Sequence, residues 1–243
     1  MKFCIAIPSR LDSSRLPNKP LANINGKPLI IRVIENCEKI LNKRHIYVFT
    51  PDNGIIEILD KYSYQYIKTK KNFKTGTDRI AHYANKLNYP IIINVQGDEP
   101  CINPKDILRV VDFKSKNQNF IINCYTQIKK NEDPKNINLP KVLINNKNEL
   151  IYMSRLPIPG VKKINSNTKP KYFKQVCIYG FNKKDLNTFK SIKKKPFFEF
   201  YEDIEILRFL SLNKKVLMVE TKKNSIGVDD QKSLNLVRKI FNK

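Results

Sequence analysis

The chain opens on an almost wholly apolar run, FCIAI at residues 3–7, that closes on Pro8 and reads as a strand covered on both faces. A long polar stretch, PSRLDSSRLPNKPLANINGK, follows it. From Pro28 onward Leu29, Val33, Ile34, Cys37, Ile40 and Leu41 recur at helical spacing, and a proline at the first helical position suits that start. HIYVFT at 45–50 predicts a second strand, GIIEILDKY a helix with Ile55, Ile58 and Leu59 on one face, and residues 64–67 a third, short strand. TGTDRIAHYANKL predicts a Thr-capped helix, and PIIINV at 90–95 the most apolar strand of the chain, ended by QGDEP. A further helix is expected over 105–116. The rhythm then changes: KVLIN, ELIYM and QVCIYGF, at 141–145, 149–153 and 175–181, read as strands parted by turns, with KNE predicting a hairpin. YEDIEILRFLSLN predicts one amphipathic helix, VLMVE a strand and SLNLVRKIF a terminal helix. Strands alternating with helices predict an α/β fold, a mostly parallel sheet with helices on both faces. The expectation is a single domain over 1–243 with an antiparallel extension at about 130–180.

Composition narrows the classes. With 41% hydrophobic and 10% aromatic residues in a 243-residue chain, composition argues against full disorder and a sizeable core can form. The five cysteines are odd in number and widely spaced, with no CxxC pair, so they predict reduced thiols and neither a disulfide framework nor a zinc cage. No apolar run is long enough to cross a bilayer, and MKFCIAIPSR meets Pro8 and Arg10 too early for a signal h-region; no membrane insertion and a cytoplasmic location are expected. The net charge of +24 would suit any polyanion. The lysines are spread along the whole chain without a nucleic-acid module signature, so compositional bias outweighs a basic nucleic-acid-binding protein, which stands as the alternative from another class.

In an open α/β sheet ligands bind beyond the carboxyl ends of the strands, which directs attention to two loops. The first holds Arg10, Arg15 and Lys19 among Ser9, Ser13 and Ser14, stiffened by Pro8, Pro17 and Pro20; forked and point cations on such a loop suit a triphosphate. The second, Gln96-Gly97-Asp98-Glu99-Pro100, puts two carboxylates directly after an apolar strand, where Asp98 could hold Mg²⁺ or cap a turn. Asp229 could give a second metal oxygen, while Asp230 suits a helix cap. Neither GxxxxGK[ST] nor GxGxxG occurs, which disfavours P-loop and dinucleotide-binding enzymes. The aromatic cluster Phe197, Phe198, Phe200 and Tyr201 suits core packing or a subunit contact better than base stacking.

SRLDSSRLPNKPLANINGKPLI, TGTDRI, INVQGDEP, SRLPIP and GVDDQKSL stand in the order and spacing of the 3-deoxy-manno-octulosonate (Kdo) cytidylyltransferases, which the chain resembles over nearly its whole length. The resemblance implies a Rossmann-like nucleotidyltransferase fold. It also implies a Mg²⁺-dependent transfer of CMP from CTP to the anomeric hydroxyl of a 3-deoxy-2-keto sugar acid, with pyrophosphate released, by a homodimer. By the family pattern Arg10, Lys19 and Asp98 are catalytic, and Arg15, Thr75, Gly76, Thr77 and Arg79 bind CTP with Arg10 and Lys19. Gln96, Arg155, Tyr179 and Glu205 face the sugar acid, with Arg155 chosen for its carboxylate, and Asp98 and Asp229 hold the metal. The chain departs from the family at Lys174-Gln175-Val176-Cys177, where Arg-His-Leu-Gly is usual, at Glu205-Ile206 in place of Glu-Gln, and at Asp230-Gln231-Lys232 in place of Thr-Pro-Glu. The first two departures fall on the sugar side, which keeps 8-amino-Kdo or a sialic-type acid as rival substrates beside Kdo.

Overall fold

The computed structural model describes residues 2–162, 170–221 and 225–242. In β1 (Phe3–Pro8) alternate side chains enter opposite apolar clusters, Ile5 and Ile7 one and Cys4 and Ala6 the other, so the strand is covered on both faces as its composition requires. A small hairpin, β2 (Asn23–Ile24) and β3 (Lys27–Pro28), then leads into α1 (Leu29–Glu38), with Pro28 one position earlier than expected, as N-cap. β4 (Ile46–Thr50), α2 (Asn53–Lys61), β5 (Gln65–Lys68), α3 (Gly76–Tyr83), β6 (Ile91–Val95) and α4 (Pro104–Lys116) continue the strand–helix alternation.

The second half comprises β7 (Ile121–Gln127), β8 (Lys141–Ile144), β9 (Leu150–Ser154), β10 (Phe173–Phe181), α5 (Lys183–Ser191), α6 (Phe197–Glu202), α7 (Leu207–Ser211), β11 (Val216–Glu220) and α8 (Gln231–Phe241). The main sheet runs β11-β7-β10-β6-β1-β4-β5, and every pairing along it is parallel except the two made by β10. One cluster packs α1, α2, α4 and α8 on one face; the other packs α3, α5 and α7 on the opposite face. Among the described residues no helix is long and apolar enough to cross a membrane.

Three elements differ from expectation. β7 was not foreseen, because Asn123 interrupts its apolar run, yet it lies between β11 and β10 in the body of the sheet. The antiparallel part is more than an edge extension: β8 and β9 form the expected hairpin, but β10 enters the main sheet between β6 and β7. Residues 163–169 of the extension lie outside the described residues. The single helix expected from residue 201 is broken in two, with Asp203 left-handed (φ 48) between α6 and α7.

Candidate active site

Three strand-end segments converge at the carboxyl ends of β1 and β6. The first follows β1, where Leu11 N–H donates to Asp52 Oδ2 (2.9 Å) and a turn of 3₁₀ helix from Lys19 to Leu21, stiffened by Pro20, holds Lys19. The second is the turn after β6. A Cβ on Gly97 would stand 2.9 Å from Pro8 O, so only glycine lets the two strand ends approach this closely. The third, residues 225–230, docks through Val228 N–H on Asp98 O (2.8 Å) and then enters α8 through a capping box of Asp230 and Ser233.

At the meeting point Lys19 Nζ lies 2.6 Å from Asp98 Oδ2 and 3.8 Å from Asp229 Oδ1, and Arg15 donates to Asp229 Oδ1 at 3.0 Å. Burial works to lower the pKa of Lys19, but the attraction of Asp98 and Asp229 outweighs it and the ammonium is held above its usual value. Burial and the nearby Asp98 raise the pKa of Asp229 against the pull of Lys19 and Arg15. Two carboxylates sharing one ammonium are a pair of hard oxygen donors in reach of further positive charge.

A cavity of about 480 Å³ opens over these groups, lined on the basic side by Arg10, Arg15, Lys19 and Arg79 and on the acidic side by Asp12, Asp98, Asp203 and Asp229. Arg10 is exposed at its mouth. Ser9 also lines it, and its buried Oγ has no hydrogen-bond partner among the described residues, which leaves a polar atom for a ligand. Thr75 caps α3 and lines the cavity with Gly76; a Cβ on Gly76 would meet Pro8 Cγ at 2.8 Å. Arg79 is buried and braces the preceding loop, donating to Lys70 O (2.9 Å) beside the Phe73 ring.

A second cavity, of about 790 Å³, shares Arg15, Thr75, Gly76, Gln96, Asp98, Asp203 and Asp229 with the first, so the two are contiguous. Gln96, Arg155, Tyr179 and Glu205 all line it. Its floor is a bulge of β10 between Val176 and Tyr179, which Asn123 fills by donating to Val176 O (3.1 Å) and Ile178 O (2.9 Å). Gln175 donates to Asn123 Oδ1 and to the Tyr179 hydroxyl, at 2.9 and 3.2 Å. The carboxylate of Glu205 accepts from Thr77 N–H (3.0 Å), Thr77 Oγ1 (2.8 Å) and Gln96 Nε2 (3.0 Å); burial raises its pKa, against those donors.

Of the residues singled out from the sequence, Thr77 departs from its expected place: it is buried under the cavity wall, spent on Glu205 and on Asn94 Nδ2 (3.2 Å). Arg155 reaches the second cavity, but its guanidinium donates to the backbone carbonyls of Glu202, Ile137 and Asp203, at 2.5, 2.8 and 2.9 Å. In this arrangement it ties three segments together. The sequence reading did not single out Asp203, the 129–140 segment that lines the second cavity, or the buried Lys174, paired there with Glu132. The broken helix exposes Asp203 to both cavities, and an unbroken amphipathic pattern carried no sign of it. Lys174 sat in a noted departure from the family pattern, which was the available signal.

Comparisons with known proteins bear on this geometry. The cytidylyltransferase family profile matches residues 4–217. The 3-deoxy-manno-octulosonate cytidylyltransferase of Christiangramia forsetii is 33% identical over 238 residues, covering 97% of this chain and 95% of that protein. The protein of the same name from Polynucleobacter necessarius is 35% identical over 246 residues, covering 98% and 95%. The solved structure of CMP:2-keto-3-deoxy-manno-octonic acid synthetase complexed with CTP superposes with a TM-score of 0.89 at 30% identity, over 100% of this chain and 99% of that one.

Proposed function

Since the chain belongs to the family of 3-deoxy-manno-octulosonate cytidylyltransferases, we propose that it joins CMP from CTP to the anomeric hydroxyl of Kdo and releases pyrophosphate. The observation that carries this reading is the junction of Lys19 with Asp98 at the seam of two contiguous cavities, one for each substrate. The smaller cavity suits CTP, with Arg10, Arg15 and Lys19 at the triphosphate and Thr75, Gly76 and Arg79 on the wall. The larger suits the sugar acid, set by Gln96, Gln175, Tyr179 and Glu205.

In the reaction the anomeric hydroxyl gives up its proton to solvent as its oxygen bonds to the α-phosphorus, and the bond from that phosphorus to the bridging oxygen breaks so that pyrophosphate leaves. Charge spreads over the phosphoryl oxygens, so catalysis lies in positioning and electrostatics. Lys19 is a part-buried cation beside that charge, and Arg15 spans both cavities. The four cations and four carboxylates of the first cavity nearly cancel, so a triphosphate entering it needs further positive charge. Mg²⁺ fits that need, with Asp98 and Asp229 as its protein ligands. When bound it would neutralise phosphate charge as a Lewis acid.

The product would serve surface polysaccharide synthesis in the cytoplasm, and the working form would be a homodimer. The Phe197–Tyr201 cluster is not core: Phe197, Phe200 and Tyr201 are exposed. A pyrophosphate-release assay with CTP or UTP and a panel of ulosonic acids, including 8-amino-Kdo and a sialic acid, with and without Mg²⁺, tests the reading. Release only when CTP, a 3-deoxy-2-keto acid and Mg²⁺ are all present is expected; silence with every acid at high enzyme concentration would sink it.

A further inference from the structure

We infer that Arg208, which lines neither cavity, is a positioning residue for this transfer and acts through Asp78 on Thr75, an inference that rests on the reading of the site just given. Arg208 is 1% exposed, in α7, and its guanidinium lies 3.7 Å from the centre of the Phe189 ring. Its Nε and Nη2 donate to Glu199 of α6 at 2.6 Å each, and its Nη1 and Nη2 to Asp78 of α3 at 2.5 and 3.1 Å. Both carboxylates are thus gripped by two donors. Asp78 Oδ2, the oxygen that takes Arg208 Nη2, also accepts from Thr75 Oγ1 at 3.1 Å, and Thr75 Oγ1 in turn accepts from Asp78 N–H at 3.0 Å. Thr75 and Gly76 form part of the wall common to the two cavities. A hydrogen-bonded chain therefore runs from a buried cation to the partition between the substrates.

A second strut lies beside it. Glu205, three residues before Arg208, holds Thr77 and Gln96. α3 is therefore tied to the 205–208 segment at two points on its first turn, which fixes both its distance and its rotation. A well-packed apolar cluster could supply equal stability, because two buried charges lose their hydration. What apolar packing lacks is direction: a forked guanidinium in register with a carboxylate allows one orientation, and a lysine ammonium does not reproduce it. The Arg208–Asp78 fork therefore sets where Thr75 stands, and through it the alignment of the α-phosphate with the anomeric oxygen.

The test uses the full chain and two variants, Asp78→Asn and Arg208→Lys. Circular dichroism gives the folded fraction, titration calorimetry with Mg²⁺ gives CTP affinity, and pyrophosphate release gives kcat and both KM values per folded molecule. Asp78→Asn is nearly isosteric and only part-buried, so it decides the matter if Arg208→Lys fails to fold. Expected are a normal fold in Asp78→Asn, CTP affinity weakened about tenfold, a KM for the sugar acid raised as well, and kcat lowered. A purely structural role predicts a lower melting temperature with kcat, both KM values and CTP affinity unchanged per folded molecule, and that result would overturn the inference. A parent protein that neither binds CTP nor releases pyrophosphate with any acid would instead overturn the reading of the site, and the inference with it.

Discussion

Lys19 Nζ and Asp98 Oδ2 meet at 2.6 Å, although 79 residues separate them in the chain. The contact joins the loop after β1 to the turn after β6, two neighbouring parallel strands whose carboxyl ends lie side by side. Its electrostatic consequence is that Lys19 stays protonated: burial acts against its charge, Asp98 and Asp229 act for it more strongly, and its pKa sits above the ordinary value. A phosphoryl group entering the cavity therefore meets a cation near neutral pH.

Replacing Asp98 with Asn removes one of the two carboxylates that face Lys19 and weakens the donor set for Mg²⁺. Turnover should fall at least about 100-fold. The side chain is only part-buried, so the fold should survive. Pyrophosphate release and a thermal melt on the same sample check both halves, and normal activity would refute the assignment of Asp98.

Arg10→Ala and Arg155→Ala should separate the substrates. Arg10 is exposed at the mouth of the first cavity, so its loss should raise KM for CTP and leave the melting temperature unchanged. Loss of Arg155 frees the carbonyls of Ile137, Glu202 and Asp203, which should weaken use of the sugar acid and also cost about 1–3 kcal/mol of stability. Steady-state kinetics with each substrate varied in turn, together with urea unfolding, read the split. Equal loss toward both substrates in each variant would undo it.

Much of this site was legible in the sequence because strand-end loops carry their chemistry in short contiguous strings. SRLDSSRLPNKP and QGDEP each follow an apolar run, and parallel pairing of those runs is enough to bring the loops together. What was not legible depends on contacts between distant segments. Asn123 reads as an interruption of an apolar run; its value appears only when the bulge of β10 lies beside it and needs two donors. The 201–213 segment carries helical periodicity throughout, and the break at Asp203 follows from tertiary ties at Glu199, Glu205 and Arg208. The role of Arg155 as a tie between carbonyls is likewise invisible without the segments it joins.

Glu99 should give the protein a pH-dependent stability. Its carboxyl is pushed up to about 7, first by burial and then by Asp98, while the Ser225 hydroxyl donates to it at 2.5 Å. A folded-state pKa above the unfolded one means that the proton is bound more tightly in the folded protein. The contribution to stability is therefore full below about pH 4.5 and is lost as pH rises through about 7. Wild type should lose roughly 3 kcal/mol from this group between pH 4.5 and 8. Glu99→Gln cannot titrate, so its stability relative to wild type should improve steadily across that range. Urea denaturation at pH 5, 6.5 and 8 measures the difference, and a constant offset would show that Glu99 does not titrate in the window.

The exposed aromatics of α6 carry the last prediction, for the proposed homodimer. Phe197, Phe200 and Tyr201 are 71, 64 and 70% exposed, and Phe198 is anchored behind them at 5.4 Å from the Tyr152 ring. Adjacent large apolar side chains facing water in a lysine-rich chain imply a covering surface, because their burial would yield roughly 25 cal/mol for each Å² removed from water. α6 also leads directly into Asp203, which lines both cavities, so a partner packed on α6 would steady the cavity wall. Phe197→Asp with Phe200→Asp should convert a dimer to a monomer by light scattering at micromolar concentration. Activity should drop with it, chiefly through kcat, while circular dichroism stays native, since neither side chain supports the core. A wild-type protein that is already monomeric at that concentration would remove the dimer from the account and leave the patch unexplained.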